Sequence, residues 1–448
     1  MKWTTLISDK RFGKETAKPV STEQRTDFQR DYDRLIFSPP FRRMQNKTQV
    51  FPLPGSIFVH NRLTHSLEVS SVGRSLGADV CRALTPRHPE AAAALQATPA
   101  IVSAACLAHD MGNPPFGHSG EKAICSFFSE GRGARLRDYV SPEGEKLTDA
   151  LWSDITHFDG NANTFRLLTH QFAGRRQGGF VMTYATLAAI VKYPYSSALS
   201  PKPGKFGFFE TEKDDFLRIA RELGMPCTVT PQGVSSVRHP LVYLVEAADD
   251  ICYEIMDVED AFKLRLLSAE ETISLFMDFF DAPTQRDILA AYPATTDKGD
   301  HIAYLRSCVI NALERACVKV FVDHEEDLLA GTFEGSLIGR LPSPLREAFG
   351  NVGQLARCRI YNCKEVTDID LAGYHIIYTL LDLLTEAVLA PEKAYSRLLL
   401  SQASPQYELT HPSLTCRIMG VLDYISGMTD VFALDLYRKI NGHSLPGV

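Results

Sequence analysis

TPAIVSAACLAHDMGNPPFGHSGE, residues 98–121, is the most telling stretch of the chain. Its body, IVSAACLA, is almost wholly apolar, so it reads as a helix buried on all sides. Thr98-Pro99 marks the start, a capping residue ahead of a proline at the first helical position. The helix runs into His109-Asp110 and is stopped by Gly112 and the Pro114-Pro115 pair. Beyond that turn His118 and Glu121 stand at i and i+3 of a starting helix and share a face. An imidazole beside a carboxylate is suited to general acid/base work, the carboxylate orienting the ring. The same pair also fits a plain helix N-terminus with a favourable glutamate in its first turn. GHSG is not a nucleophile elbow, because its second glycine comes one residue early.

Working outward, Leu67, Val72, Leu76, Val80 and Leu84 predict the apolar side of a helix over about 63–84, with His65 in its first turn. A third long helix is predicted after Pro240, through LVYLVEAADDICYEIMDVEDAFKL. It carries the Asp249-Asp250 pair between apolar neighbours, where a carboxylate is costly unless paired or ligating. His65, His109, Asp110 and one of these aspartates offer mixed nitrogen and oxygen ligands for a divalent metal. Spacing does not choose between Asp249 and Asp250, and each histidine taken singly also fits a satisfied core residue. Asp249, Tyr253 and Asp257, four apart, line one helical face as a pocket wall would. The blander alternative is a solvated acidic stripe. Lys192, after TLAAIV, suits a phosphate contact or a partner for the helix dipole. No GxxxxGK[ST] loop occurs, so a triphosphate ligand would not be held by P-loop chemistry.

Further helices are expected near 161–173, 181–192, 213–223, 266–281, 303–321, 367–390 and 412–440, and strand signals only at TQVFPL and PCTVT. No repeat or domain linker stands out. The expected architecture is all-α, one body over residues 1–448, with a core at about 60–265 and a helical C-terminal part at about 266–448. The balance of 45% hydrophobic and 23% charged residues is that of an ordinary globular protein. A net charge of −7 means that any anionic ligand must be held by local positive charge or a metal. Ten cysteines without a CxxC pair read as free thiols. No stretch approaches the roughly 18 apolar residues of a membrane span, and the N-terminus lacks the features of a signal peptide. A cytoplasmic location without membrane attachment is the expectation.

These residues resemble the deoxyguanosinetriphosphate triphosphohydrolase (dGTPase) family of the HD superfamily. RRMQNKTQVFPL (42–53), NRLTHSLEVSSVGR (61–74), LAHDMGNPPFGHSGE (107–121), HFDGNANTFRLL (157–168), VEAADDICYEIMDVEDA (245–261) and DYISGMTD (423–430) carry the resemblance in the family's order. It implies an HD-domain helical bundle with peripheral helices, and metal ligands His65, His109, Asp110 and Asp249, preferring Asp249 to Asp250. It implies His118 as catalytic histidine with Glu121 as its partner, Gln49 and Asp257 at the sugar 3′-hydroxyl, and Tyr253 against the deoxyribose. Arg62 and Lys192 would contact phosphate, and Tyr374, in AGYHII, would join the nucleoside pocket. Asn161 and Asn163 fall in a family motif but receive no role. The implied substrate is a deoxynucleoside triphosphate, dGTP favoured, and the implied cofactor is Mg²⁺ or Mn²⁺, with Fe²⁺, Co²⁺ or Ni²⁺ also compatible with the donors. A homo-oligomer, with a hexamer as one form, and a nucleotide or single-stranded DNA effector are implied as well. Another HD phosphohydrolase (a 5′-nucleotidase or phosphodiesterase) and a non-catalytic nucleotide or DNA sensor are the alternatives. Loops 129–148 and 194–240 look individual to this chain, so base preference stays open.

Overall fold

A computed structural model describes residues 1–15, 25–51, 59–175, 177–202, 204–292 and 295–443. The fold is all-α: the described residues are 65% helical, with two short strands among them. Those strands, β1 (Cys227–Thr230) and β2 (Gly233–Ser236), form one antiparallel hairpin in which Cys227 faces Ser236 and Thr230 faces Gly233. PCTVT is thus a strand. TQVFPL contributes only a bridge between Thr48 and Asn61, and its Pro52 and Leu53 lie outside the described residues.

The helices that build the site are α1 (Asp27–Ile36), α2 (Arg62–Leu84), α3 (Thr98–Ala108), α4 (His118–Ser129), α5 (Gly160–Thr169), α6 (Tyr184–Ile190) and α7 (Val242–Lys263). Beyond them lie α8 (Lys298–Asp323), α9 (Ser343–Leu355), α10 (Lys364–Leu389), α11 (Leu414–Ser426) and α12 (Asp430–Ile440). The expected helix over 412–440 is thus two, broken after Ser426 by Gly427 and restarted by Thr429, whose side chain accepts from Phe432 N.

α3 is the axle. Every residue from Ile101 to Ala108 is buried, and α1, α2, α6 and α7 pack around it. The approach of α2 is especially close. A Cβ on Gly73 would lie 2.4 Å from Cys106 Sγ, so only glycine lets the two helices meet there. Ser70 Oγ donates to Ser103 O beside that crossing, satisfying a hydroxyl that would otherwise be stranded.

Two local expectations need correction. Ala97, not Thr98, is the N-cap of α3; Thr98 is already helical and its buried hydroxyl makes no hydrogen bond. Leu67 is 36% exposed, whereas Val69 is fully buried. A step of five from 67 to 72 turns about 500°, which carries Leu67 off the face that Val69, Val72, Leu76, Val80 and Leu84 share.

Apolar residues gather into two cores. One joins α1–α3, α6–α9 and the N-terminal residues; the other joins α4 to α10, α11 and α12, with Phe206 and Phe209. The junction between them carries the turn from Asp110 to Gly117. All ten cysteines are free thiols, four of them buried. Among the described residues no single helix is long and apolar enough to cross a membrane.

Candidate active site

His109 follows directly on the apolar α3, so its ring is held where water is scarce. Its Nδ1 donates to Cys106 O at 2.6 Å, which aims Nε2 away from α3. That Nε2 is buried and makes no hydrogen bond, 3.4 Å from Asp249 Oδ1 and 3.7 Å from Asp110 Oδ1. His65, in the first turn of α2, brings its Nε2 to 3.1 Å from the same Asp249 oxygen. The ligand atoms of His65, His109 and Asp249 lie within 4.8 Å of one another. Donors bound at about 2.0–2.2 Å to a single ion stand roughly 3–3.5 Å apart, so the cage fits one divalent cation. Burial alone would lower the His109 pKa, but the Asp110 and Asp249 carboxylates raise it to about 9. Burial would raise Asp249, yet His109 and His65 hold it well below the usual carboxylate range. In the cage the Asp249 carboxylate faces two imidazoles, a donor set that suits a divalent cation.

Asp110 adjoins this trio rather than completing it. Its Oδ2 accepts from Arg62 Nη1 at 2.6 Å and its Oδ1 from Asn113 Nδ2 at 2.5 Å. Arg62 also reaches the turn ahead of His118: a Cβ on Gly117 would lie 2.6 Å from Arg62 Nη2. Phe116 and Gly117 both have positive φ, +60° and +55°, and this tight turn delivers His118 to the head of α4. His118 is 73% exposed and its Nδ1 lies 2.7 Å from Glu121 Oε2. The other Glu121 oxygen accepts from Gly160 N at 2.7 Å, the first amide of α5. Burial would raise Glu121, but the His118 imidazole holds it below the ordinary range. Asn163 and Asn161 now have work: Asn163 Nδ2 donates to Gly112 O, and Asn161 pairs with Asp159, the N-cap of α5.

The acidic face of α7 is not a solvated stripe. Asp257 is 4% and Glu259 6% exposed. Tyr253 sets its ring 6.3 Å from that of His65 and 5.7 Å from that of Tyr361. Tyr361 OH donates to Asp257 Oδ2 at 2.8 Å, and burial pushes Asp257 well above the usual carboxylate range. Tyr361 went unnoticed in the sequence. It follows a π-helical turn, Ala356–Ile360, where helical period gives no guide. Gln49 sits beside the Thr48–Asn61 bridge with a buried Oε1 that no described residue engages. Lys192 Nζ lies 3.3 Å from Glu246, one turn before Asp249. Despite its burial, Glu246 and Asp250 raise its pKa. Tyr374 stands apart, its hydroxyl 2.5 Å from Ser126 Oγ, two turns along α4 from His118.

An HD domain family model matches residues 62–151, from the first residue of α2 past the end of α4. A deoxyguanosinetriphosphate triphosphohydrolase-like protein of Synechocystis sp. is 38% identical, over 99% of this chain and 100% of its own. The chain belongs to this family of HD phosphohydrolases. A relative of the same description from Pseudomonas aeruginosa is also 38% identical, over the full length of both chains. A deoxyguanosinetriphosphate triphosphohydrolase of Yersinia enterocolitica is 29% identical, over 96% of each. The HD domain match agrees with a His/Asp cluster that could hold a divalent metal.

Proposed function

We propose that the chain is a metal-dependent deoxynucleoside triphosphohydrolase that cleaves a dNTP, dGTP preferred, to deoxynucleoside and tripolyphosphate. One observation carries this reading. The His65–His109–Asp249 cage, flanked by the Asp110–Arg62 pair, shares its rim with the Tyr253–Tyr361–Asp257 wall, so phosphate and sugar chemistry meet at one place.

His65, His109 and Asp249, with Asp110 beside them, would hold Mg²⁺ or Mn²⁺, or another first-row dication. Such an ion supplies a Lewis acid toward an α-phosphate oxygen and lowers the pKa of a bound water. The side chains do the rest. Arg62 presents positive charge to the α-phosphate, and Lys192 does so to the outer phosphates. Tyr253 packs against the deoxyribose and leaves little room for a 2′-hydroxyl, while Gln49 and Asp257 receive the 3′-hydroxyl. Water oxygen bonds to the α-phosphorus as the P–O5′ bond breaks. Glu121 accepts a hydrogen bond from His118 Nδ1–H, so that His118 as general acid gives its Nε2 proton to the departing 5′-oxygen and is left as the neutral imidazole. The proton lost by the attacking water passes to solvent, from which His118 is recharged. A homo-oligomer, with a hexamer as one form, and control by a nucleotide or single-stranded DNA belong to the same proposal.

The test is a panel of the four dNTPs and GTP with Mg²⁺ or Mn²⁺, products resolved by ion chromatography. Tripolyphosphate with free deoxynucleoside, and no turnover of GTP, is the expected result. Orthophosphate or pyrophosphate alone would overturn it in favour of a 5′-nucleotidase or phosphodiesterase. Binding without any turnover would point to a sensor.

A further inference from the structure

The DYISGMTD stretch, 423–430, closes α11 and opens α12, and nothing in the chemistry above uses it. Its last residue, Asp430, is 8% exposed and its carboxylate faces inward. Oδ2 accepts from Thr48 N at 2.7 Å and Oδ1 accepts from Phe116 N at 2.9 Å. Those amides belong to two different working segments. Thr48 precedes Gln49, and Phe116 opens the positive-φ turn that delivers His118. Lys47 runs a second tie alongside, its buried Nζ donating to Asn113 O at 2.6 Å and Ser426 O at 2.7 Å. Asn113 in turn donates to Asp110, and Lys47 O accepts from Arg62 N at 3.2 Å. On the far side of the turn, the Phe116 ring lies against Gly373 of α10, and Ser119 Oγ donates to Asp370 O.

We infer that Asp430 is a positioning residue, holding the His118 turn and the Gln49 segment in register from the C-terminal helices. A carboxylate is needed because both acceptors must come from one side chain. A positive-φ phenylalanine is intrinsically disfavoured and persists only where its surroundings over-determine it. Asp430 on the amide and Gly373 on the ring supply that constraint. The Asp430 carboxylate is taken up by the Thr48 and Phe116 amides, so its effect passes through His118 and Gln49, and to that extent it rests on the proposed hydrolysis.

Asp430→Asn is the decisive variant, since its amide group offers one acceptor where two are needed. Hydrogen exchange measured by mass spectrometry reads the tie without reference to activity. At least one of the peptides covering Thr48 and Phe116 should exchange faster, about tenfold for one lost hydrogen bond, with little change elsewhere. With dGTP, kcat should fall by about 10²-fold, the cost of misplacing a reacting group by roughly 1 Å, while bound metal stays at the wild-type level. Leu436→Ala, which loosens α12 from its apolar side, should lower the melting temperature yet leave kcat and KM unchanged. If Asp430→Asn does not fold, Asp430→Glu, which keeps the charge and shifts it by one methylene, carries the same test. Unchanged exchange in both peptides, or Leu436→Ala losing kcat in step with Asp430→Asn, would overturn the inference. A wild-type protein that releases no tripolyphosphate would instead defeat the proposed function, while the exchange result still stands on its own.

Discussion

His109 and His118 each lean on a carboxylate, and burial suits the two pairs to different tasks in the proposed reaction. His109 is enclosed and turns its free nitrogen toward Asp249; His118 stands 73% exposed with Glu121 behind it. His118→Ala should therefore keep its metal and lose about 10²–10⁴ in kcat, whereas Asp249→Asn should lose the metal itself. Metal content by mass spectrometry beside single-turnover rates separates the two, and equal metal loss in both variants would contradict the division of labour. The histidines and aspartates could be read from the sequence because polar groups at the ends or middle of apolar helices are costly to bury and so stand out. Tyr361 could not, lying 104 residues from the Asp257 it serves and outside any regular period. Gly160 N and Phe116 N were equally hidden, since a backbone amide leaves no mark on residue type.

Among the elements, α2, α3 and α7 were legible because period and apolar content agree along them. Their exact faces were less so: Leu67 and Val69 are both apolar, and only the packing of α3 on α2 selects Val69. Helix Asp149–Thr156 shows what burial adds. Its Asp154 carboxyl accepts from Ser197 Oγ at 2.6 Å and from Glu210 N at 2.6 Å, tying down both ends of the 197–210 segment. Burial pushes its pKa up to about 8 from an ordinary 3.8. Between about pH 4 and pH 8 the folded chain thus holds a proton that the unfolded chain has released, so stability falls as pH rises through that window. Asp154→Asn copies the protonated side chain, with Nδ2 toward Ser197 and Oδ1 toward Glu210. Urea denaturation at pH 5 and pH 8 should show a stability loss for the wild type that exceeds the variant's by an amount on the order of a few kcal/mol. A variant whose stability falls with pH as steeply as the wild type's would place the titration elsewhere.

For the molecule as a whole, the second core decides what can fold. Ile124, Phe127 and Phe128 of α4 are fully buried in the cluster that holds Ile377, Leu380 and Leu381 of α10. The Phe127 ring stands 5.3 Å from that of Tyr378. Each such apolar side chain is worth about 1.5–3 kcal/mol on burial. A chain ended at residue 365 should therefore lose its cooperative thermal transition by circular dichroism, although residues 60–265 and every proposed metal ligand remain. A sharp melt from that fragment would show that α4 needs no support from α10. This dependence was not visible in sequence, where 266–448 read simply as further helices.

The cage joins side chains from positions 65, 109 and 249, so its two outer members are separated by 184 residues of chain. No partly folded intermediate that lacks either α2 or α7 can assemble it. During refolding, recovered turnover should consequently count finished molecules one by one, trailing the return of helical signal and rising with an unvarying apparent affinity.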